Sequence, residues 1–371
     1  MRVLKVAWDN TLAGRDKAGT GVYAARVLEQ FADRKDLHVE VLQGWHRNLS
    51  ADGLISRGWG IVGNLVWTHT FLPAILRKRH ADLLHSPAFI APISAPCPVV
   101  MTVHDITYLL YPSHFSRWWV TYLKAIMPRA LKSAAAIVCV SEHSKRDIIA
   151  MYKVPEHNVH VIPNGVNHER FHPGSTLDSD WSSALGIGEH YLLHVGTFSY
   201  RKNIPVLLRA ITHLRSRGKW GDRQLVLAGA QDLAMKGAQE VFETIRELEL
   251  SGSVVLTGHV PDQHIAGLYA QAAALVIPSL YEGFGLPVLE AMAAGTPVVA
   301  SNTSSLPEVA GDAAILFPPH DELALAAAIE EVLEPSASDE LRRKGLERAR
   351  QFSWQRTAEQ MIAVYRAVGK S

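Results

Sequence analysis

The chain alternates short apolar runs with longer segments of helical period. This confines it to folds in which helices cover both faces of a parallel sheet. Runs such as Val99-Val-Met-Thr-Val103 and Ala274-Leu-Val-Ile277 are apolar almost throughout instead of at every second residue, as expected for a strand buried on both faces. In the first half the predicted strands fall at residues 3–8, 39–42, 83–85, 99–103, 136–140 and 159–162. In the second they fall at 191–195, 224–228, 254–257, 274–277, 298–300 and 314–317. Between the two sets, residues 167–188 are polar and aperiodic, which marks a candidate hinge. A chain of 371 residues, 48% of them hydrophobic, exceeds what one core usually organises. The sequence therefore predicts an α/β protein of two Rossmann-like domains, 1–170 and 185–353, with a last helix over 354–368.

One segment carries most of the chemistry. After the apolar run ending at Ile277, the chain reads Ser279-Leu-Tyr-Glu-Gly-Phe-Gly-Leu-Pro-Val-Leu-Glu290, which sets Glu282 and Glu290 eight positions apart around a glycine-rich turn. The order is strand, loop, helix, with Pro287 in the first helical turn. Gly283 and Gly285 let the backbone approach a ligand, and the N–H groups at the start of the helix that begins near Leu286 suit a phosphate. Glu290, one turn inside, can accept from the vicinal hydroxyls of a ribose. Glu282 precedes the turn, nearer to what the phosphates carry. The pattern suits a nucleoside diphosphate bearing a polyhydroxylated group.

Two further loops follow predicted strands. Gly196 leads to Arg201 and Lys202, and Asn203 is placed to cap a helix beginning Ile204-Pro205. A guanidinium grips phosphate oxygens in a bidentate manner while an ammonium neutralises the remaining charge. His104-Asp105 ends the run 99–103, where open α/β sheets hold ligands; there the imidazole can donate to a hydroxyl and Asp105 can position the loop or the ring. Gly19-Thr-Gly21 either allows close approach to phosphates or acceptor, or caps a turn.

These segments together resemble the nucleotide-sugar-dependent retaining glycosyltransferases of family four. The resemblance rests on Glu282-x7-Glu290 with its tail Gly295-Thr-Pro-Val-Val299, on His194-Val-Gly-Thr-Phe-Ser-Tyr-Arg-Lys-Asn203, and on Val103-His-Asp-Ile106. Val140-Ser-Glu-His-Ser-Lys-Arg146, Val161-Ile-Pro-Asn-Gly-Val166 and Gly19-Thr-Gly-Val-Tyr23 complete it, in the family's order over nearly the whole chain. It implies the GT-B arrangement, an acceptor-side first domain onto which the closing segment 354–371 crosses back, and a donor-binding second domain, with the ligand in the cleft between them. It also implies that Arg201, Lys202 and Gly196 serve the diphosphate, that His104 lies in the donor-sugar pocket, and that Gly283, Phe284, Gly285, Leu286 and Glu290 line the donor site. Glu282 is expected to orient sugar hydroxyls, with retention by front-face attack rather than a covalent intermediate.

The loop Gly258-His-Val-Pro-Asp-Gln263 resembles the family's base-contacting loop, through Val260 and Asp262; Asp262 either accepts from the Watson–Crick edge of guanine or caps the next helix. The run from Asp105 to Arg146 looks most like bacterial mannosyltransferases of surface polysaccharide synthesis. GDP-mannose is thus the leading donor, with UDP-sugars the alternative. Asp178-Ser-Asp180 matches a metal-binding Asp-x-Asp pattern of another glycosyltransferase fold, but it lies in the predicted linker, so no metal and no other cofactor is expected.

Composition excludes other classes. With 37 basic and 36 acidic residues the net charge is +1, without the basic excess of a nucleic-acid binder. Only Cys97 and Cys139 occur, no run of about 18 apolar residues is present, and the N-terminus reads as a strand, so a cytoplasmic protein is expected. Arg117-Trp-Trp-Val-Thr-Tyr-Leu-Lys124 and the stretch from Trp67 to Arg79 mix aromatic and basic residues, as in an interfacial helix at the inner membrane face near a lipid-linked acceptor, or as in helices that simply bury their aromatics. Gly19-Thr-Gly-Val-Tyr-Ala24 formally fits a dinucleotide fingerprint, but about ten residues separate it from the first strand, and Glu40 falls inside a strand. A noncatalytic nucleotide-sugar binder is the other alternative.

Overall fold

The computed structural model describes residues 2–13, 19–44, 62–231 and 237–369, so residues 370–371 of the expected closing segment lie outside the described residues. The chain divides into two compact units, Met1–Gly165 with Trp354–Ser371, and Val166–Ser353.

In the first unit, β1 (Leu4–Asp9), β2 (Leu37–Leu42), β3 (Leu83–Ser86), β4 (Val99–Val103), β5 (Ala136–Cys139) and β6 (Val159–Val161) form one parallel sheet in the order β2-β1-β3-β4-β5-β6. The second unit repeats the plan with β7 (Tyr191–Val195), β8 (Gln224–Ala228), β9 (Val254–Gly258), β10 (Ala274–Ile277), β11 (Val298–Ser301) and β12 (Ile315–Phe317), in the order β12-β11-β10-β7-β8-β9. Every residue of β3, β4, β5, β10 and β11 is buried, whereas the edge strands β2, β9 and β12 are only partly so. The continuous apolar runs are thus the central strands, covered on both faces.

Each sheet reverses direction once. In the first, the chain runs from β1 out to β2 and returns to place β3 on the other side of β1; in the second, it runs β7-β8-β9 and returns to place β10 beside β7. The carboxyl ends of β1 with β3, and of β7 with β10, are therefore the two switch points where loops diverge and leave a crevice.

The helix Trp354–Val368 belongs to the first unit. Its Tyr365 and Phe31 of the helix Gly19–Phe31 pack at 5.9 Å between ring centres, with Trp8 of β1 on the other edge of Phe31 at 6.1 Å. Thr357 Oγ1 donates to Pro163 O at 2.7 Å. In the fingerprint Gly19–Ala24 both glycines sit in a helical first turn, and Glu40, inside β2, pairs with Arg79 at 3.2 Å.

The candidate hinge is corrected. The chain enters the second unit at Val166, and residues 167–188 fold as part of that unit. Trp181 stacks on His264 at 4.7 Å and 15°, Phe171 meets Tyr269 edge-on at 5.8 Å, and Gly267 lies so close to Thr176 that a Cβ would stand 2.2 Å from its carbonyl oxygen. The stretch reads as polar because its polar residues make local turns and caps. Asn167 Oδ1 accepts from the backbone N–H of Glu169 and Arg170, and Asp178 caps the helix Ser179–Ala184 by accepting from Trp181 N at 2.8 Å. Asp178 of the Asp-x-Asp pattern is thus a helix cap. Among the described residues, no group of three or more His, Cys, Asp or Glu is placed to hold a metal ion.

Gly267→Ala tests this strap. Alanine ordinarily favours a helix interior by roughly 0.8–1 kcal/mol, but here the methyl collides with a backbone carbonyl. We expect a net loss of about 1–3 kcal/mol in urea unfolding, as for overpacked sites.

Candidate functional site

The second switch point explains why two loops far apart in sequence meet. After β7, Gly196 leads into a 3-10 turn, Tyr200–Lys202, and then the helix Ile204–Ser216; after β10 comes the loop of Glu282. Because β7 and β10 are hydrogen-bonded neighbours, the two loops leave the sheet side by side. Leu280 N donates to Arg201 O at 2.7 Å, and this joins them directly.

Asn203 does not cap its helix through its side chain. It adopts the left-handed conformation, φ 54°, and its amide Nδ2 donates to Pro278 O at 3.1 Å and Pro319 O at 2.6 Å. The side chain expected to serve a helix end instead ties the cation-bearing loop to the end of β10.

Glu282 is the centre of the site. Its side chain is buried, Lys202 Nζ donates to Oε1 at 2.6 Å, and Arg201 Nη1 donates to Oε2 at 2.8 Å. Ser279 Oγ adds a bond to Oε1 at 2.7 Å. The backbone is held as firmly: Ser304 Oγ accepts from Glu282 N at 2.9 Å, and Ser305 Oγ donates to Glu282 O at 2.9 Å. Burial alone would push this carboxyl up, but Lys202, Arg201 and Ser279 outweigh it and hold the pKa down at about 2. Lys202 is itself buried, which pulls its ammonium down while Glu282 holds it up. The side chain lies against Gly196, where a Cβ would stand 2.8 Å from Lys202 Cε, so a larger residue there would push the Lys202 side chain aside.

His194 of β7 has its pKa lowered to about 4 by burial and by Lys202, and its Nδ1 donates to Val276 O at 2.9 Å. A neutral imidazole beside the cations leaves Glu282 as their counter-ion. The carboxylate expected to orient sugar hydroxyls therefore has both oxygens engaged by cations in this structure.

The turn after Glu282 is shaped by Gly285, with φ 112°, at the N-cap of the helix Leu286–Ala293. A Cβ there would lie 3.0 Å from Leu306 Cδ2. Gly283 is buried, Phe284 packs edge-on to Phe352 at 6.1 Å, and Leu286 is half-buried. Tyr269 Oη donates to Glu290 Oε2 at 2.9 Å, so Glu290 already accepts from one hydroxyl. Val260 is buried. Asp262 is 94% exposed in its side chain and pairs with Arg170 at 3.2 Å, and the helix Asp262–Ala270 has Pro261, not Asp262, at its N-cap position.

His104, Asp105 and Gly21 belong to the first unit. His104 Nε2 donates to Pro87 O at 2.9 Å, and its ring meets Tyr23 edge-on at 4.9 Å. Asp105 Oδ1 accepts from Thr107 N at 2.9 Å, so it shapes the loop. Gly21 lies in the first turn of Gly19–Phe31.

Ser304, Ser305 and Tyr269 carry no signal by spacing, since they lie more than twenty positions from the glutamate each supports. The run Ser301-Asn-Thr-Ser-Ser305 before Leu306-Pro307 reads only as a turn.

A depressed carboxylate contributes stability that is complete above its unfolded value near 4.5 and fades as pH falls toward about 2. Glu282→Gln takes the carboxylate charge away from Lys202 and Arg201. We expect it to destabilise by about 3–5 kcal/mol at neutral pH, with the gap to wild type narrowing in unfolding curves taken below about pH 4.

Comparison with known proteins finds relatives of both parts of the chain. Residues 178–352 match the glycosyl transferases group 1, and residues 18–170 match Glycosyltransferase Family 4. The chain is 33% identical over 298 residues to O-antigen chain mannosyltransferase B of Escherichia coli, covering 78% of this chain and 76% of that one. It is 33% identical over 264 residues to the MMP alpha-(1->4)-mannosyltransferase of Mycolicibacterium hassiacum, covering 67% of this chain and 60% of that one. Among solved structures, sucrose-phosphate synthase from Thermosynechococcus elongatus superposes with a TM-score of 0.79 at 23% identity, over 98% of both chains. Anabaena HepE in complex with UDP-glucose superposes at 0.74 and 20% identity, over 98% of this chain and 100% of that one. A parallel sheet in each unit, the paired motifs and these relatives lead to one assignment: the chain is a GT-B glycosyltransferase and belongs to family four, the glycosyl transferases group 1.

Proposed function

We propose that this glycosyltransferase moves mannose from GDP-mannose to a hydroxyl of a glycan or lipid-linked acceptor, with retention of anomeric configuration and without a metal ion. The observation that carries this reading is the Arg201–Lys202–Glu282 cluster at the carboxyl ends of β7 and β10, with Lys202 and Glu282 buried and Arg201 partly so. When a nucleoside diphosphate departs, negative charge grows on its β-phosphate. Two cations already fixed in place stabilise that charge without reorganising at the moment of reaction. Their fixed charge takes the place a divalent cation would fill.

Glu282 is poorly suited to act as a nucleophile. Its two oxygens accept from Lys202, Ser279 and Arg201, and a carboxyl held down at about 2 is a weak base. This favours front-face attack, with a donor phosphate oxygen taking the acceptor proton. Glu290, which already accepts from the Tyr269 hydroxyl, is chemically suited to ribose hydroxyls.

The mannosyltransferase names of the two relatives favour mannose, and the UDP-glucose in Anabaena HepE supports UDP-sugars as the second reading. For a lipid-linked acceptor, the helix Arg117–Ser133 suits a membrane surface. Trp118 is 80% exposed beside exposed Arg117, Lys124 and Arg129, while Trp119 and Tyr122 turn inward against each other at 5.5 Å. No helix among the described residues is long and apolar enough to cross a membrane.

The test is donor-dependent melting in EDTA with GDP-mannose, UDP-glucose and ADP-glucose, beside Arg201→Ala and Glu290→Ala. Ligand at 100 times its Kd stabilises by about 2.7 kcal/mol. We expect GDP-mannose to raise the melting temperature of the wild type and of neither variant. A shift with UDP-glucose alone moves the donor to the second reading, and no shift with any donor removes the nucleotide-sugar reading.

A further inference from the structure

The first sheet has its own switch point, between β1 and β3, and Asp9 stands at the carboxyl end of β1. It is a carboxylate 8% exposed, and no charged group among the described residues contributes to its titration. Its hydrogen bonds come from neutral donors and fall on one oxygen. Thr11 donates to Oδ1 from its backbone N at 3.1 Å and from its hydroxyl, and Trp67 Nε1 donates at 3.3 Å. Gly44 N in turn holds Thr11 Oγ1 at 2.9 Å. None of these bonds uses Oδ2.

Three further observations converge. Trp67 opens a π-helical turn, Trp67–Phe71, a geometry that is rare and concentrated at functional sites. Trp8 pairs with His85 in the β1–β3 register, so Asp9 falls beside Ser86; the Ser86 Oγ and the Asn10 Oδ1 are buried polar atoms with no hydrogen-bond partner among the described residues. Burial also pushes the Asp9 carboxyl up, against the pull of Thr11 and Trp67. A buried carboxylate without a cation costs stability, and a ligand hydroxyl donating to it gains the strength of a charge-assisted bond.

We propose that Asp9 is the acceptor-binding carboxylate of the first unit, with Oδ2 accepting from hydroxyls of an uncharged, polyhydroxylated part of the acceptor while Thr11 and Trp67 fix its orientation. This rests on the reading of the chain as a transferase to hydroxyl acceptors.

The test uses the full chain with GDP-mannose as donor and methyl α-mannoside as the acceptor probe, and reads GDP release with and without the glycoside. In Asp9→Asn, the ratio of glycoside-dependent to glycoside-independent release falls at least tenfold. The melting shift given by GDP stays at its wild-type size, and the variant itself melts no lower than wild type, because an unpaired buried charge has been removed. A ratio within twofold of wild type overturns the proposal, as does a variant that melts well below wild type or loses the GDP shift, since Asp9 would then serve the fold or the donor. A wild type that shows no GDP shift sinks the donor reading instead, and the two failures are separable.

Discussion

The second unit is organised around one ion cluster, with Glu282 and Lys202 buried and Arg201 partly so. Glu282 has to sit where Lys202 and Arg201 can both reach it, and the two buried members, Glu282 and Lys202, would each be costly in the interior alone. Much of the local architecture serves that requirement. Gly196 clears the path of the Lys202 side chain, Asn203 ties its loop to Pro278, and three serines fix Glu282 at its carboxylate, its N–H and its carbonyl. Remove the carboxylate and two cations repel each other in a poorly hydrated site; remove the cations and the carboxyl takes up a proton. The opposite charges of the cluster are thus stable in the fold because each offsets the desolvation of the other.

The cluster depends on sheet topology. Only a parallel strand order with β10 beside β7 brings loops separated by about eighty residues to one edge. The same reversal in the first sheet sets Asp9 beside β3, where its partners among the described residues are Thr11 and Trp67. The two units share a plan and differ in charge logic. One switch point holds cations already paired with a carboxylate; the other holds a carboxylate whose hydrogen-bond donors among the described residues are neutral.

The fold was legible to a high degree because its signal is local. All twelve predicted strands are present within one to two residues at each end, and the helix Trp354–Val368 begins and ends where its pattern does. Continuous apolar runs flanked by glycine, proline and polar residues have few other uses. The stretch 167–188 misled for a related reason. Polarity and lost periodicity mark a solvated linker and a segment of tight turns and caps equally well, and what separates them here is the close approach of Thr176 to Gly267, where no side chain intervenes, and the Trp181–His264 stack, neither visible in one dimension.

At the site, residue types spoke and partnerships did not. The sequence marked Glu282 and Glu290 as candidates through the glycine-rich loop around them, and Arg201 and Lys202 through the family resemblance of theirs. It could not tell that Glu282 is the counter-ion of both cations, that Asn203 bridges two loops instead of capping a helix, that Asp105 serves its own loop, or that Tyr269 holds Glu290. The sequence determined which elements form and which residues can carry charge to a ligand, because periodicity, turns and side-chain chemistry act over a few residues. Only the tertiary structure decided which charges neutralise which, because that depends on the order of strands in a sheet, and strand order is settled by packing between segments that the chain itself keeps far apart.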